Sequence, residues 1–176
     1  MKRFLLVCLL LAFLTGSPAP GEPRLLQLSG RGPLAIVQQP INDPWFVSNG
    51  EGQVTEFRMA ADLGTIGLLA HEDKAGRYFF DLVPGQEVRL IYGNGITEQF
   101  IVTRIERYQA LQPNSQFSLF RNLETNELIS ANDLFLRMYS GERRVVFQTC
   151  IEANGNVNWG RLFVVAYPNP KTVVEE

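Results

Sequence analysis

The sequence predicts a mostly-β domain, either a closed barrel or a sandwich. Short runs rich in β-branched and aromatic residues recur between turn signals about 8–12 residues apart, a spacing typical of all-β domains. With 45% hydrophobic and 19% charged residues, the 176-residue chain has the composition of one globular domain. A net charge of −2 argues against a nucleic-acid-binding surface.

The predicted strands follow from residue type and from the turns that bound them. Residues 65–70 are apolar enough for a buried strand, and Asn94-Gly95 between two apolar runs predicts a hairpin. The complete set of predicted strands is 34–39, 53–57, 65–70, 87–92, 99–108, 144–150 and 161–167.

One or two short helices are predicted beside these strands. The clearer one follows Ser130 or Asn132, either of which suits an N-cap, and it stops at Gly141. Apolar residues recur on one face of that segment at i, i+1, i+4 and i+5 from Leu134. A second, shorter helical turn is expected within 73–82.

The N-terminus has the pattern of a secretory signal peptide over residues 1–21. Lys2 and Arg3 form a positive start, an apolar run covers 4–14, and small residues follow it. That run is short for a membrane span, which needs about 20 residues, so an uncleaved anchor is the weaker alternative. We therefore expect a secreted or extracytoplasmic cell-surface protein that meets a membrane only if this segment is uncleaved.

The remaining chain divides into a Pro/Gly-spaced linker over 22–33, a folded domain over 34–170 and a short acidic tail over 171–176. Cleavage of the signal peptide would remove Cys8 and leave Cys150 as the single thiol. A lone thiol in an exported protein has no internal disulfide partner, so it is buried, linked to another chain or reactive.

Three residues at strand ends form a candidate catalytic site. Cys150 closes one predicted strand, the single histidine, His71, follows another, and Arg161 opens a third. A thiol is mostly protonated at neutral pH, an imidazole can carry its proton, and a guanidinium can stabilise a developing oxyanion. The three residue types together suffice for acyl transfer. For Cys150 alone, an inert buried position is the competing interpretation.

These residues also carry a resemblance to the sortases, the cysteine transpeptidases of bacterial surfaces. The order is His, then Cys at the end of a strand, then Arg on the next strand. The matching blocks, within about 54–168, are Gly67-Leu68-Leu69-Ala70-His71, Phe79-Phe80-Asp81-Leu82, Pro84-Gly85-Gln86-Glu87-Val88, Phe147-Gln148-Thr149-Cys150 and Arg161-Leu162-Phe163-Val164-Val165-Ala166.

The resemblance implies a closed eight-stranded β-barrel with short helices and an activity without a cofactor. Cys150 would attack the carbonyl of a sorting motif in a client surface protein and form a thioacyl-enzyme. His71 would transfer protons, and Arg161 would hold the oxyanion. The acceptor would be the amine of a cell-wall precursor, a pilin lysine, or water.

Two departures from the family pattern leave alternatives open. Val146 stands where the family's Thr-Leu-x-Thr-Cys signature has its first threonine, which bears on substrate preference. The short N-terminal apolar run raises the chance of hydrolysis, or of a non-catalytic sortase-like domain that binds a peptide or protein, because a released enzyme would not easily meet lipid-linked acceptors. An L,D-transpeptidase is disfavoured because Gln148-Thr149 precedes the cysteine where that family has His-Gly.

Overall fold

The computed structural model describes residues 21–170, which contain ten strands and three short helical segments. The strands are β1 (Pro23–Leu28), β2 (Leu34–Gln38), β3 (Gln53–Phe57), β4 (Ile66–Leu69), β5 (Glu87–Tyr92), β6 (Thr97–Ala110), β7 (Leu119–Asn122), β8 (Leu128–Ser130), β9 (Val145–Ala153) and β10 (Asn156–Pro168). The helical segments are α1 (Arg58–Ala61), a 3₁₀ helix (Ala75–Asp81) and α2 (Ala131–Tyr139).

Eight of these strands close into a barrel. Their order is β10-β9-β4-β3-β2-β1-β5-β6, and β6 pairs back onto β10 to complete the ring. The β2–β3 and β4–β9 pairs are parallel, and the other pairs in the ring are antiparallel. Strands β7 and β8 extend from β6 outside the ring. The predicted eight-stranded barrel is therefore confirmed over the sandwich.

The alternation of side chains along β9 and β10 separates two apolar clusters. Val145 and Phe147 belong to a cluster drawn from all eight barrel strands, which fills the interior. Val146, together with Phe163 of β10, belongs to a second cluster on the opposite face of the sheet, packed with Met138 of α2. Helix α2 thus covers the outer surface of β9 and β10 around Val146 and Phe163.

Helix α2 begins where the sequence predicts a cap. The Ser130 hydroxyl accepts a hydrogen bond from the backbone N–H of Asp133 at 3.1 Å, so Ser130 and not Asn132 is the N-cap. At its other end, Arg144 donates hydrogen bonds to the carbonyls of Met138, Arg137 and Ser140. Arg144 therefore satisfies helix C-terminal carbonyls that would otherwise lack a partner.

The first strand lies in the segment expected to be a linker. Pro23–Leu28 pairs with β2 on one side and β5 on the other, and Leu26 and Leu28 are buried in the interior. Residues 23–28 of the segment expected to be a linker or lead-in therefore form a strand of the barrel. The Pro and Gly signals mark the start of β1 and the β1–β2 turn.

Other segments agree with prediction to within a few residues. Gln53–Phe57 and Glu87–Tyr92 match in full, and the expected helical turn within 73–82 is the 3₁₀ helix. The short strands β7 and β8 and helix α1 were not anticipated. The predicted signal peptide, apart from Gly21, and the acidic tail lie outside the described residues. No helix within residues 21–170 is long and apolar enough to span a membrane.

Candidate active site

Cys150 lies near the end of the regular pairing between β9 and β10. Strand β9 continues to Ala153, beyond its predicted end, but its register with β10 shifts after the Ile151–Gly160 pair. Cys150 is partly exposed, and within the described residues 21–170 it has no disulfide partner. It therefore stands on a paired strand, a few residues before the turn that joins β9 to β10.

Arg161 is the direct cross-strand partner of Cys150. The two residues are paired in the antiparallel ladder of β9 and β10, so their side chains leave the same face of the sheet. One guanidinium nitrogen, Nη1, donates to the carbonyl of Gly160 at 2.7 Å and to that of Asn158 at 3.4 Å. These bonds hold the guanidinium beside the strand and leave its other N–H groups for a substrate oxygen.

His71 follows the strand on the other side of β9. Strand β4 runs parallel to β9 with Leu69 opposite Gln148, and the ladder continues through a 3.2 Å bond from Ala70 N to Gln148 O. The hydroxyl of Thr149 donates to the carbonyl of Ala70 at 2.9 Å. Extended by two residues, the register sets His71 level with Cys150. The three residues thus stand on, or directly after, three adjacent strands.

The turn after His71 is packed against the strand that carries Cys150. The carbonyl of His71 accepts hydrogen bonds from the N–H groups of Lys74 and Gly76, each at 3.0 Å. A β-carbon at Gly76 would lie 2.3 Å from Thr149 Oγ1 and 2.6 Å from the His71 carbonyl oxygen. Only glycine allows the 3₁₀ helix to begin this close to the site.

Two further contacts surround His71. Its ring nitrogen Nε2 lies 3.3 Å from the carbonyl oxygen of Val47, in the loop between β2 and β3. The neighbouring Glu72 accepts a hydrogen bond from the backbone N–H of Glu152 at 2.6 Å, which ties the turn to β9. Burial raises the pKa of the Glu72 carboxyl, and the charge of Glu152 acts in the same direction. Glu72 therefore ties the turn after His71 to β9.

The other arginines near Cys150 in sequence are engaged elsewhere. Arg144 is buried at the end of α2, and it also donates to the hydroxyl of Tyr167 at 3.2 Å. Arg143 pairs with Glu98 and with the hydroxyl of Tyr92. Of these arginines, Arg161 alone faces the thiol across a ladder.

Other residues around the site have the following surroundings. Val146, at the departure from the sortase signature, is buried in the cluster that contains Met138 of α2. Trp45 is 78% exposed in the loop that reaches His71, and Trp159 is partly exposed. In the described part of the chain, no group of three or more His, Cys, Asp or Glu side chains is arranged to hold a metal ion.

The residues that sequence reasoning missed act through backbone contacts. Gly76, Thr149 and Val47 position the site through a close approach, a hydroxyl and a carbonyl, respectively. The type of a residue does not predict such a positioning role. Thr149 alone carried a signal, because it belongs to the block that precedes the cysteine.

Comparison with solved structures identifies the fold. Sortase C1 of Streptococcus suis superposes with a TM-score of 0.54 at 13% identity, covering 89% of this chain and 77% of that one. Streptococcus agalactiae sortase C1, in a complex with MTSET, gives 0.52 at 16% identity, covering 86% and 69%. Sortase C from Clostridium perfringens gives 0.50 at 14% identity, covering 86% and 72%. No protein-family model and no curated protein sequence matches the chain. The chain has the sortase fold.

Proposed function

We propose that the protein is an extracytoplasmic cysteine transpeptidase of the sortase type. The observation that carries the proposal is the pairing of Cys150 with Arg161 near the turn that joins β9 to β10, with His71 following the adjacent strand. The sortase fold of the chain supports the same proposal, and the resemblance of the sequence to that family gives Cys150, His71 and Arg161 their proposed roles.

The proposed reaction begins with Cys150. Its thiol proton passes to His71, and its sulfur attacks a backbone carbonyl of a bound client peptide, forming a carbon–sulfur bond while the carbonyl electrons move onto oxygen. The guanidinium of Arg161 stabilises that oxyanion and keeps its own charge throughout. When the tetrahedral intermediate collapses, the peptide C–N bond breaks and His71 gives a proton to the leaving amine. A thioacyl-enzyme remains.

The second half of the reaction resolves the thioester. An amine acceptor, such as a cell-wall precursor or a pilin lysine, loses a proton to His71 and attacks the thioester carbonyl. The carbon–sulfur bond breaks and a new amide joins the client to the acceptor. Water in place of the amine would yield hydrolysis. The substrate class proposed is therefore a surface protein that carries a sorting motif.

Intact-protein mass spectrometry tests this proposal. The protein is incubated with a library of peptides bearing candidate sorting motifs, and the expected result is a covalent adduct that disappears on addition of hydroxylamine or an amine acceptor. Cys150→Ala is the control and should form none. An equal yield in Cys150→Ala would overturn the mechanism. Peptide binding without any adduct in the wild type would instead favour the non-catalytic binding domain.

A thiol reagent gives an independent measurement. Methanethiosulfonate should label Cys150 in the folded protein, because the thiol is partly exposed. Labelling that requires denaturant would contradict an accessible nucleophile.

A further inference from the structure

The loop that reaches His71 is fixed from inside by a buried glutamine. Gln39 is only 6% exposed, and its side-chain Nε2 donates to the carbonyls of Pro44 and Phe46, each at 3.0 Å. Its Oε1 accepts from the backbone N–H of Arg58 at 3.2 Å. One side chain therefore joins the loop between β2 and β3 to the start of α1.

A buried threonine fixes the same loop one residue after Val47. Thr55 of β3 is fully buried, and its Oγ1 accepts from the backbone N–H of Ser48 at 2.8 Å. The hydroxyl of Ser48 in turn donates to Gln53 and accepts from Gly50 N at 3.1 Å. Val47 thus lies between Phe46, held by Gln39, and Ser48, held by Thr55. The position of the Val47 carbonyl is therefore fixed by contacts at both neighbouring residues.

A carbonyl oxygen can only accept a hydrogen bond. The contact of 3.3 Å between Val47 O and His71 Nε2 therefore requires the hydrogen to be on Nε2. A neutral imidazole carries one ring hydrogen, so Nδ1 then holds the free lone pair. The hydrogen-bond partner of one ring nitrogen therefore determines whether the other nitrogen carries a hydrogen or a free lone pair.

We propose that the Val47 carbonyl, positioned by Gln39 and Thr55, fixes His71 as its Nε2–H tautomer and so makes Nδ1 the nitrogen that exchanges protons. The catalytic part of this inference rests on the proposed transpeptidase function. In that reaction Nδ1 takes the proton of the attacking group and gives it to the leaving amine. The Nε2–H bond to Val47 stays intact in both protonation states, so the ring need not turn between steps. Gln39 and Thr55 are positioning residues, which act through the loop.

The tautomer is measurable without any substrate. His71 is the single histidine of the chain, so a protein labelled with ¹⁵N gives one pair of ring-nitrogen signals in a long-range ¹H–¹⁵N spectrum. At a pH where the ring is neutral, we expect Nε2 at the shift of a protonated nitrogen and Nδ1 at that of an unprotonated one. Protonated Nδ1 with unprotonated Nε2, or rapid averaging between the two forms, would overturn the proposal.

A matched pair of variants tests the role of the loop. Thr55→Val keeps the shape of the side chain but removes the acceptor for Ser48 N, whereas Thr55→Ser keeps the hydroxyl. We expect both tautomers to appear in Thr55→Val and only the Nε2–H form in Thr55→Ser. An unchanged spectrum in a folded Thr55→Val would show that Thr55 does not position Val47. If Thr55→Val does not fold, Gln39→Leu, which releases Pro44 and Phe46, takes its place in the same comparison.

Kinetics separate positioning from binding. If the transpeptidase reaction is found, Thr55→Val should lower kcat by roughly five- to tenfold and leave KM unchanged, which is the loss expected for one hydrogen bond. The kcat of Thr55→Ser should stay within about twofold of the wild-type value. A rise in KM alone would contradict a role through His71. The spectrum decides the tautomer even if no activity is found, so a failure of the proposed function and a failure of this inference are distinguishable.

Discussion

The three candidate catalytic residues differ in what holds them in place. Backbone pairing sets Cys150 and Arg161 opposite one another, so their juxtaposition follows from the register of two long strands. His71 lies past the end of β4, and its position depends on Thr149, Gly76 and the Val47 carbonyl. The imidazole is therefore the member of the site that is most sensitive to changes in its surroundings.

Arg161 offers a direct test of oxyanion stabilisation at the residue scale. If the proposed reaction takes place, Arg161→Ala should reduce kcat/KM for thioacyl formation about 10²- to 10³-fold, the usual loss for one oxyanion donor. Arg161→Lys should recover part of the rate, because it restores the charge without the planar fork. Arg121→Ala, an exposed arginine of β7, is the matched control. Wild-type rates in Arg161→Ala would remove this residue from the site.

Sequence reasoning reached Cys150 and His71 because each is the single residue of its type in residues 22–176. Arg161 required the resemblance, since many other arginines compete with it by count. The supporting contacts could not be predicted in the same way. Val47 acts through its backbone carbonyl, which every residue has, and Gly76 acts through the absence of a side chain.

Glu56 gives the folded state a pH dependence separate from catalysis. It is 8% exposed in β3, and burial raises the pKa of its carboxyl above the ordinary value of 4.5, although Gln38 donates to it at 2.6 Å. An acid with a raised pKa in the folded state stabilises the fold when protonated. That contribution is complete below the unfolded pKa and is lost as pH rises through the folded pKa.

The substitution Glu56→Gln should therefore stabilise the protein at neutral pH, by about 1 kcal/mol, because a neutral amide can still accept from Gln38. The gain should vanish near pH 4, where the wild-type carboxyl is protonated. Urea unfolding at a series of pH values measures the free energy of unfolding for both proteins. The same change at exposed Glu142 should give no such pH-dependent gain. A loss of stability in Glu56→Gln at pH 7 would contradict the assignment.

At the scale of single elements, contacts at the ends of α2 and at the start of the 3₁₀ helix hold these helices in place. Ser130 caps the first turn of α2, and Arg144, the residue just before β9, caps its last turn. The 3₁₀ helix begins at the contact between Gly76 and Thr149. Each element is thus tied to β9, the strand that carries Cys150, or to the residue just before it.

The cap at the end of α2 can be removed. Arg144 is 6% exposed, and Arg144→Met would leave the carbonyls of Met138 and Ser140 without their charged donor. We expect a loss of about 3 kcal/mol or more in the free energy of unfolding, since several charge-assisted hydrogen bonds disappear together. The neighbouring Arg143→Met removes a more exposed ion pair and should cost about 1 kcal/mol or less. Equal losses in the two variants would refute the capping role.

The start of the 3₁₀ helix can be tested with one methyl group. Gly76→Ala would force a contact of 2.3 Å with Thr149 Oγ1, and backbone blocks the other side. We expect a loss of roughly 1–3 kcal/mol in stability, together with a shift of the His71 ring signals. Gly32→Ala is the control, because a β-carbon at Gly32 would have no neighbour within 4 Å and the φ angle there is not positive. A Gly76→Ala protein as stable as Gly32→Ala would show that the turn is loosely packed.

The predictability of the elements varied with their local signals. Helix α2 had a cap, an apolar face and a stop residue, and it lies within the limits that these signals set. Strand β1 was missed because Pro and Gly at both ends resemble a linker, whereas its partners lie on β2 and β5. Strands β7 and β8 are short and lie outside the ring, where few buried apolar residues mark them.

In the whole molecule, the three candidate residues lie on or just after three adjacent barrel strands, and Arg161 lies on β10, the strand at which the barrel closes. Strand β10 pairs with β9 on one side and with β6 on the other, and Cys150 and Arg161 pair near the turn that joins β9 to β10. Gly160, next to Arg161, allows the chain to approach Tyr108 of β6, since a β-carbon there would lie 2.4 Å from the Tyr108 carbonyl oxygen. The geometry at Arg161 therefore depends on the pairing of β10 with β9 and on its pairing with β6.

Strand β1 is the whole-molecule test of closure. It is the link between β2 and β5, and it buries Leu26 and Leu28, each worth about 2–3 kcal/mol of hydrophobic free energy. A chain that begins at residue 34, as the predicted domain boundary suggests, should open the ring and lose its cooperative thermal unfolding and near-ultraviolet circular dichroism. A chain that begins at Gly21 should keep both. If the chain from residue 34 unfolded cooperatively at the same temperature, β1 would be dispensable, and the barrel could then close through the remaining strands alone.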